Sequence, residues 1–179
     1  MSHSFRIAWV GVACCAGLVL NAGVRGEEDR RPATSASASV VVKLFGAGAG
    51  NLDTYGSGIL ISADGHFITV WNHLVNTGYL SAVVSDGRRF EVDVIGTSAA
   101  HDLAVMRLRT NGAKGFPFVD RATVVRPDPG TSVYAFSNMF HVATGNEPAS
   151  VVHGIVAADS KLKAEFGRWE FPLKSSVLI

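Results

Sequence analysis

The chain has 179 residues, 47% of them hydrophobic and 17% charged, which is enough apolar material for one sizeable core and part of a second, and excludes a disordered protein. Its 16 basic and 15 acidic residues leave a net charge of +1. That balance gives no electrostatic footprint for a polyanion, so no nucleic-acid partner is expected.

Residues 1–26 read as an export address. Met1 to Arg6 carries positive charge, Ile7 to Leu20 is an apolar run, and Val24-Arg25-Gly26 precedes Glu27-Glu28, the layout of a cleavable secretory signal peptide. The run falls short of the about 20 residues that cross a bilayer as a helix, so no stable membrane span is expected after cleavage. The expected location is the periplasm or the exterior. Cys14 and Cys15 both lie inside this address, so a chain cleaved after Gly26 has no disulfide framework and no thiol for catalysis or metal binding. Residues 27–39, EEDRRPATSASAS, are polar without an apolar period and read as a flexible leader.

From Val40 the pattern changes to short β segments. Val40 to Phe45, Gly58 to Ser62, His66 to Trp71, Leu80 to Ser85, Arg89 to Ile95 and Leu103 to Arg109 are rich in Val, Ile, Leu and Phe. They are separated by Gly48-Ala49-Gly50-Asn51, Asp64-Gly65, Asp86-Gly87 and Gly96-Thr97-Ser98. An Asp-Gly pair between apolar alternations is a hairpin signal, because the turn needs positive φ and glycine adopts it without a side-chain clash. Regular short strands with no long amphipathic helix predict an all-β domain over 40–109, a six-stranded barrel that closes its own edges.

Residues 110–130 form a Gly, Pro and Asp-rich connector, with Phe116-Pro117-Phe118 and Pro127-Asp128-Pro129-Gly130 breaking any regular element. Thr131 to Ser137, Ser150 to Ala158 and Ser175 to Ile179 are the strand candidates of a second β unit over 131–179. Three strands do not close a barrel, so this half is expected to be incomplete, with an open edge.

Gly56-Ser57-Gly58, Asp64-Gly65, Thr69, Asp86-Gly87-Arg88, Gly96 and Asp102-Leu103-Ala104-Val105 are similar in type and spacing to the amino-terminal barrel of HtrA/Deg-type serine proteases. The resemblance continues through Val133 to Asn138 and Ser150 to Ala157, and covers roughly Val40 to Ile179. It implies a trypsin-like (chymotrypsin-type) double β-barrel, with the first six-stranded barrel complete and the second partial. Relatives of this type are endopeptidases with a Ser-His-Asp triad between two barrels, often followed by a PDZ domain, to which nothing here corresponds. The resemblance implies unfolded or exported polypeptides as partners and is compatible with an oligomer. A trimer, common among relatives, does not follow from these residues.

The triad needs a nucleophilic hydroxyl, an imidazole to take its proton and a buried carboxylate to fix the imidazole tautomer. By the resemblance Asp102 takes the carboxylate position, directly before an apolar strand. The family pattern puts two residues between the threonine and the histidine, whereas here Val70-Trp71-Asn72 stands between Thr69 and His73. An ungapped reading therefore puts Asn72 in the histidine's place. One residue of shift on a helical turn rotates a side chain by about 100°, so His73 serves as general base only with a local bulge. Asparagine has no useful basicity for that role. Alternatively, Asn72 and His73 are a surface or capping pair.

The 179 residues contain no Gly-x-Ser-Gly-Gly segment, which in the family presents the nucleophile and supplies the N–H groups of the oxyanion hole. Removing one such donor costs about 3–4 kcal/mol of transition-state stabilisation. Ser57 belongs to the turn into an early strand, and Ser175-Ser176 lacks flanking glycines, so neither is expected to be the nucleophile. His66, His101, His141 and His153 have neither the helical spacing nor the cysteine partners of a zinc site. The glycines between Gly46 and Gly50 lack the Lys-Ser/Thr of a phosphate loop. No metal or cofactor is expected. The resulting expectation is an exported, protease-like fold without hydrolytic activity, with a non-catalytic binding or scaffold module and a truncated gene fragment as alternatives.

Overall fold

The computed structural model describes residues 6–9, 18–21, 31–47, 53–71, 79–139, 143–158 and 176–178. In chain order the strands are β1 (Arg6–Trp9), β2 (Leu18–Asn21), β3 (Val41–Ala47), β4 (Asp53–Leu60), β5 (His66–Val70), β6 (Leu80–Val83), β7 (Arg89–Ser98), β8 (Leu103–Leu108), β9 (Ser132–Ser137), β10 (Ser150–Ala158) and β11 (Ser176–Leu178), with one helix, α1 (Arg31–Ala38), between β2 and β3. Strands β3 to β8 form a closed barrel in the order β3-β4-β5-β8-β7-β6. The fold is all-β, as expected, with the first six-stranded barrel complete and the second partial.

The barrel closes because alternate residues on six strands share one interior. Val42 and Leu44 of β3, Leu60 of β4, Phe67 of β5, Ala82 of β6, Val92 of β7 and Ala104, Met106 and Leu108 of β8 make a single buried cluster. Each large side chain removed from water there contributes about 1.5–3 kcal/mol. Gly58 is part of this packing, because a Cβ at that position would stand 2.7 Å from Cδ2 of Phe67. The two Asp-Gly turns are present, with Gly65 and Gly87 at φ of +86° and +85°, and Gly48-Ala49-Gly50-Asn51 lies outside the described residues. Gly96-Thr97-Ser98 does not separate strands as expected. β7 runs on to Ser98 past an irregularity in the ladder, where Val94 pairs with Met106 and Gly96 with Val105. Glycine in a strand marked a bulge here, not a turn.

Strand β3 is buried on both faces, which explains why its sequence is apolar but for Lys43. Its inward residues fill the barrel, while Val41 joins Val40, Ile59, Val119, Phe136 and Ala149 in a second core between the barrel and the other sheet. The connector over 110–130 spans both cores. Phe116 is buried in the first, Val119 in the second, and the Val119 N–H donates to the Leu60 carbonyl at 2.9 Å.

The second sheet has five strands in the order β1-β2-β9-β10-β11. The sequence predicts three strands with an open edge, whereas Leu18–Asn21 also joins the sheet, pairing antiparallel with β9 from Leu18 opposite Phe136 to Asn21 opposite Val133. An unpaired strand presents a row of backbone donors and acceptors, and an apolar extended segment satisfies them. Within residues 27–39, read as a flexible leader, Arg31–Ala38 is helical, and 27–30 lie outside the described residues. Ala33, Ala36 and Ala38 are compatible with a helix, and Ala38 at its end packs against the second core. No helix among the described residues is long and apolar enough to cross a membrane.

Candidate active site

Asp102 sits at the barrel rim where two paired strands meet. Strands β5 and β8 are antiparallel, with Val70 opposite Leu103, so the end of β5 faces the start of β8. Before β8 the chain makes a 3-10 turn over Ala99–His101, and Asp102 ends it in the left-handed region at φ 51°, ψ 41°. Its N–H donates to the Ala99 carbonyl at 3.3 Å, and its own carbonyl accepts from the Trp71 N–H at 3.1 Å. Asp102 is therefore fixed beside the residue that precedes Asn72 and His73. Those two residues lie outside the described residues. The Asp102 residue is exposed, whereas the orienting role asks for a buried carboxylate.

Beneath the rim lies a polar junction that sequence reasoning missed. Ser57 of β4 is buried, and its Oγ accepts from the Asn138 N–H at 2.7 Å, while its carbonyl accepts from Oγ1 of Thr69 at 2.8 Å. Ser57 is thus engaged as an acceptor between the two sheets, and it lies inside β4, paired with Lys43, not in the turn that the sequence suggests. Asn138 is also buried; its Oδ1 accepts from the Ala143 N–H at 3.2 Å, and its Nδ2 has no partner among the described residues. Ser175 lies outside the described residues, and Ser176 opens β11.

Three of the histidines without metal-site spacing, His66, His101 and His153, each meet a serine hydroxyl. His66 Nδ1 lies 3.0 Å from Ser62 Oγ, His101 Nδ1 lies 2.8 Å from Ser98 Oγ, and His153 Nε2 lies 2.6 Å from Ser132 Oγ. His153 also stacks on Tyr134 at a centroid distance of 4.7 Å. His141 lies outside the described residues, and no group of three or more metal-binding side chains occurs among those described. Gly46 belongs to β3, inside an antiparallel hairpin with β4, which provides no helix N-terminus for a phosphate.

Lys43 was also missed, although a lysine inside Val40-Val41-Val42-Lys43-Leu44-Phe45 was the signal. It is 2% exposed, and Nζ donates to the carbonyls of Gly145 and, at 2.8 Å, Glu147. A cavity of about 180 Å³ beside it is lined in part by Ser35, Ser85, Asn146 and Glu147, and does not reach Asp102. A groove of about 490 Å³ along Asp64, His66 and Arg107 to Lys114 does not reach it either.

A closed six-stranded barrel with a conformationally fixed aspartate at its rim, packed on a second β sheet, is the architecture of the trypsin-like peptidase domain, and that family's profile matches residues 56–177. The chain belongs to this family. Within it the chain is similar to HtrA/Deg-type members. It is 36% identical over 105 residues to a probable periplasmic serine endoprotease, DegP-like, of Bartonella henselae, covering 58% of this chain and 19% of that protein. It is 27% identical over 109 residues to the serine endoprotease DegS of Salmonella typhimurium, covering 61% of this chain and 29% of that protein. The chain thus spans less than a third of the length of these relatives. Among solved structures, the MamO protease domain of Magnetospirillum magneticum in its apo form is similar at a TM-score of 0.57 and 25% identity, over 73% of this chain and 67% of that one. A serine endoprotease of Yersinia pestis shares the fold at a TM-score of 0.61 and 23% identity, over 76% of this chain and 46% of that one.

Proposed function

We propose that these 179 residues are an exported module of the HtrA/Deg endopeptidase type that does not hydrolyse peptide bonds by itself, the alternative being a non-catalytic binding or scaffold module. The observation that carries this reading is the lack of any Gly-x-Ser-Gly-Gly segment in the sequence, which removes nucleophile and oxyanion hole together. Asn72 at the ungapped histidine position and the exposure of Asp102 support it. Within the proposal Asp102 holds the position of the orienting carboxylate, and His73 is the general base only if the segment after Trp71 bulges. Export is supported by the charged start and apolar run of residues 1–26 and by the periplasmic designation of the Bartonella relative; β1 and β2 lie within residues 1–26, so in this proposal cleavage after Gly26 removes them from the second sheet. Unfolded or exported polypeptides are the proposed partners.

A serine-directed fluorophosphonate probe tests the central point on the purified chain. No labelled serine and no cleavage of a fluorogenic casein are expected, and stoichiometric labelling of any serine overturns the reading. The second reading, a complete endopeptidase encoded by a longer frame, is favoured by the fit of Asp102 to the family position. Reading the DNA beyond the codon for Ile179 distinguishes it, because a continuing frame with Gly-x-Ser-Gly-Gly restores an enzyme and a substituted serine establishes a pseudoprotease.

A further inference from the structure

The connector between β9 and β10 is irregular from Ala143 to Ala149, yet three of its carbonyls accept from barrel side chains. Lys43, in the middle of β3, donates to the carbonyls of Gly145 and Glu147. Arg89 at the start of β7 reaches the Thr144 carbonyl through Nη2 at 3.3 Å; its Nη1 donates to Ser81 Oγ at 2.8 Å, and its guanidinium lies 4.9 Å from the centroid of Phe45. Two barrel cations thus bind three connector carbonyls. The tip of the β6–β7 hairpin presses on the same segment, since a Cβ on Gly87 would come within 2.8 Å of Cβ of Asn146. The connector also braces itself, with the Glu147 carboxylate accepting the Gly145 N–H at 2.6 Å.

A buried ammonium pays desolvation and persists only where acceptors surround it. Burial pushes Lys43 below its ordinary range, nearby Glu147 pulls it back, and Arg89 pushes it down further. An aliphatic side chain would fill the same space in a β3 that is otherwise apolar on both sides. The distinctive contribution of lysine here is a pair of hydrogen bonds to a segment about a hundred residues away in the sequence.

We infer that the 143–149 connector is a clasp that locks the second sheet onto the barrel, with Lys43 as its pin and Arg89 as its second hold. The inference is independent of the proposed lack of catalysis, since none of its residues is a triad candidate. Opening the clasp exposes Lys43 and frees the connector while the barrel stays closed, because β3 keeps its ladders to β4 and β6.

Amine acetylation of the full chain, followed residue by residue with mass spectrometry, tests the pin directly. Lys114, whose side chain is 74% exposed, is the internal reference. Lys43 is expected to react at least about 10-fold more slowly than Lys114, although its lowered proton affinity would speed the reaction if it were accessible. In Arg89→Gln the Lys43 rate is expected to rise about 3-fold with Lys114 unchanged, as the clasp opens more often. Hydrogen exchange supplies the second arm, where Lys43→Met is expected to lose about 10-fold protection over 143–149 while β5 and β8 keep theirs. Equal acetylation of Lys43 and Lys114 in the unmodified chain overturns the inference, as does unchanged exchange over 143–149 in both variants. If Lys43→Met does not fold, the unmodified chain and Arg89→Gln still decide the matter.

Discussion

The Trp71 N–H donates to the carbonyl of Asp102 across 3.1 Å, and this bond ties the last described residue of the β5 side to a backbone in the left-handed region. The pairing of Val70 with Leu103 continues by one residue into the rim, so the aspartate's place follows from the β5–β8 ladder and not from its own side chain. The backbone, rather than the carboxylate, is expected to dominate the stability effects of substitution there.

Asp102→Ala is therefore expected to lose about 1 kcal/mol of stability, because a residue with a Cβ and no local hydrogen-bonding group is strained at positive φ. Asp102→Gly is expected to be neutral or slightly stabilising, since glycine adopts this region freely. Urea denaturation of the two variants checks this. Equal losses for alanine and glycine would show that the carboxylate, and not the backbone, matters to stability.

Gly58→Ala is expected to cost about 1–3 kcal/mol, because the new methyl collides with the Phe67 ring in a packed interior. Combining it with Phe67→Leu should recover part of that loss. A double-mutant cycle measured by denaturant melts gives the coupling, and additive losses would contradict direct contact.

The junction between the two sheets predicts an asymmetry. Ser57→Ala leaves the Asn138 N–H without its acceptor in a buried place, at a cost of about 1–3 kcal/mol. Thr69→Val removes a donor to the Ser57 carbonyl and keeps the side-chain shape, so about 1 kcal/mol or less is expected. A larger loss for Thr69→Val than for Ser57→Ala in thermal unfolding would reverse this account.

The pH dependence has an acid and an alkaline part. The Gly145 N–H is the main cause holding the Glu147 carboxyl below its ordinary 4.5, and the hydrogen bond from Arg109 holds Asp93 below 3.8. Their contribution is complete above the ordinary values and is lost as pH falls through the lower folded-state values, where the unfolded chain binds more protons. Both groups are open to solvent, so the acid loss is expected to be small and to shrink in high salt. Lys43 acts at the other end. Its folded-state value lies below 10.5, so between the two values the unfolded chain again holds the extra proton, and stability is expected to rise with pH. Melting curves across the alkaline range should show this rise in the parent chain and its absence in Lys43→Met.

The sequence carried the barrel because its signals were local. Asp64-Gly65 and Asp86-Gly87 set two turns through glycine's freedom at positive φ, and the apolar runs between them had nowhere to go but a shared interior. Those signals failed at Gly96, where a partner strand absorbed the glycine as a bulge, and at 31–38, where docking against the second core accompanies a two-turn helix that composition alone did not suggest.

Of the candidate site, the sequence by itself determined the residue types: an aspartate at 102, an asparagine and a histidine after Trp71, and no Gly-x-Ser-Gly-Gly among 179 residues. Only the tertiary structure decided that Asp102 is exposed and held by Trp71, that Ser57 is spent on Asn138, and that Lys43 is bound to the 143–149 connector. The physical reason is range. Turn chemistry and strand period act between neighbours and are written in order along the chain, whereas burial and hydrogen-bond partners depend on which distant backbone arrives, and no local pattern records that.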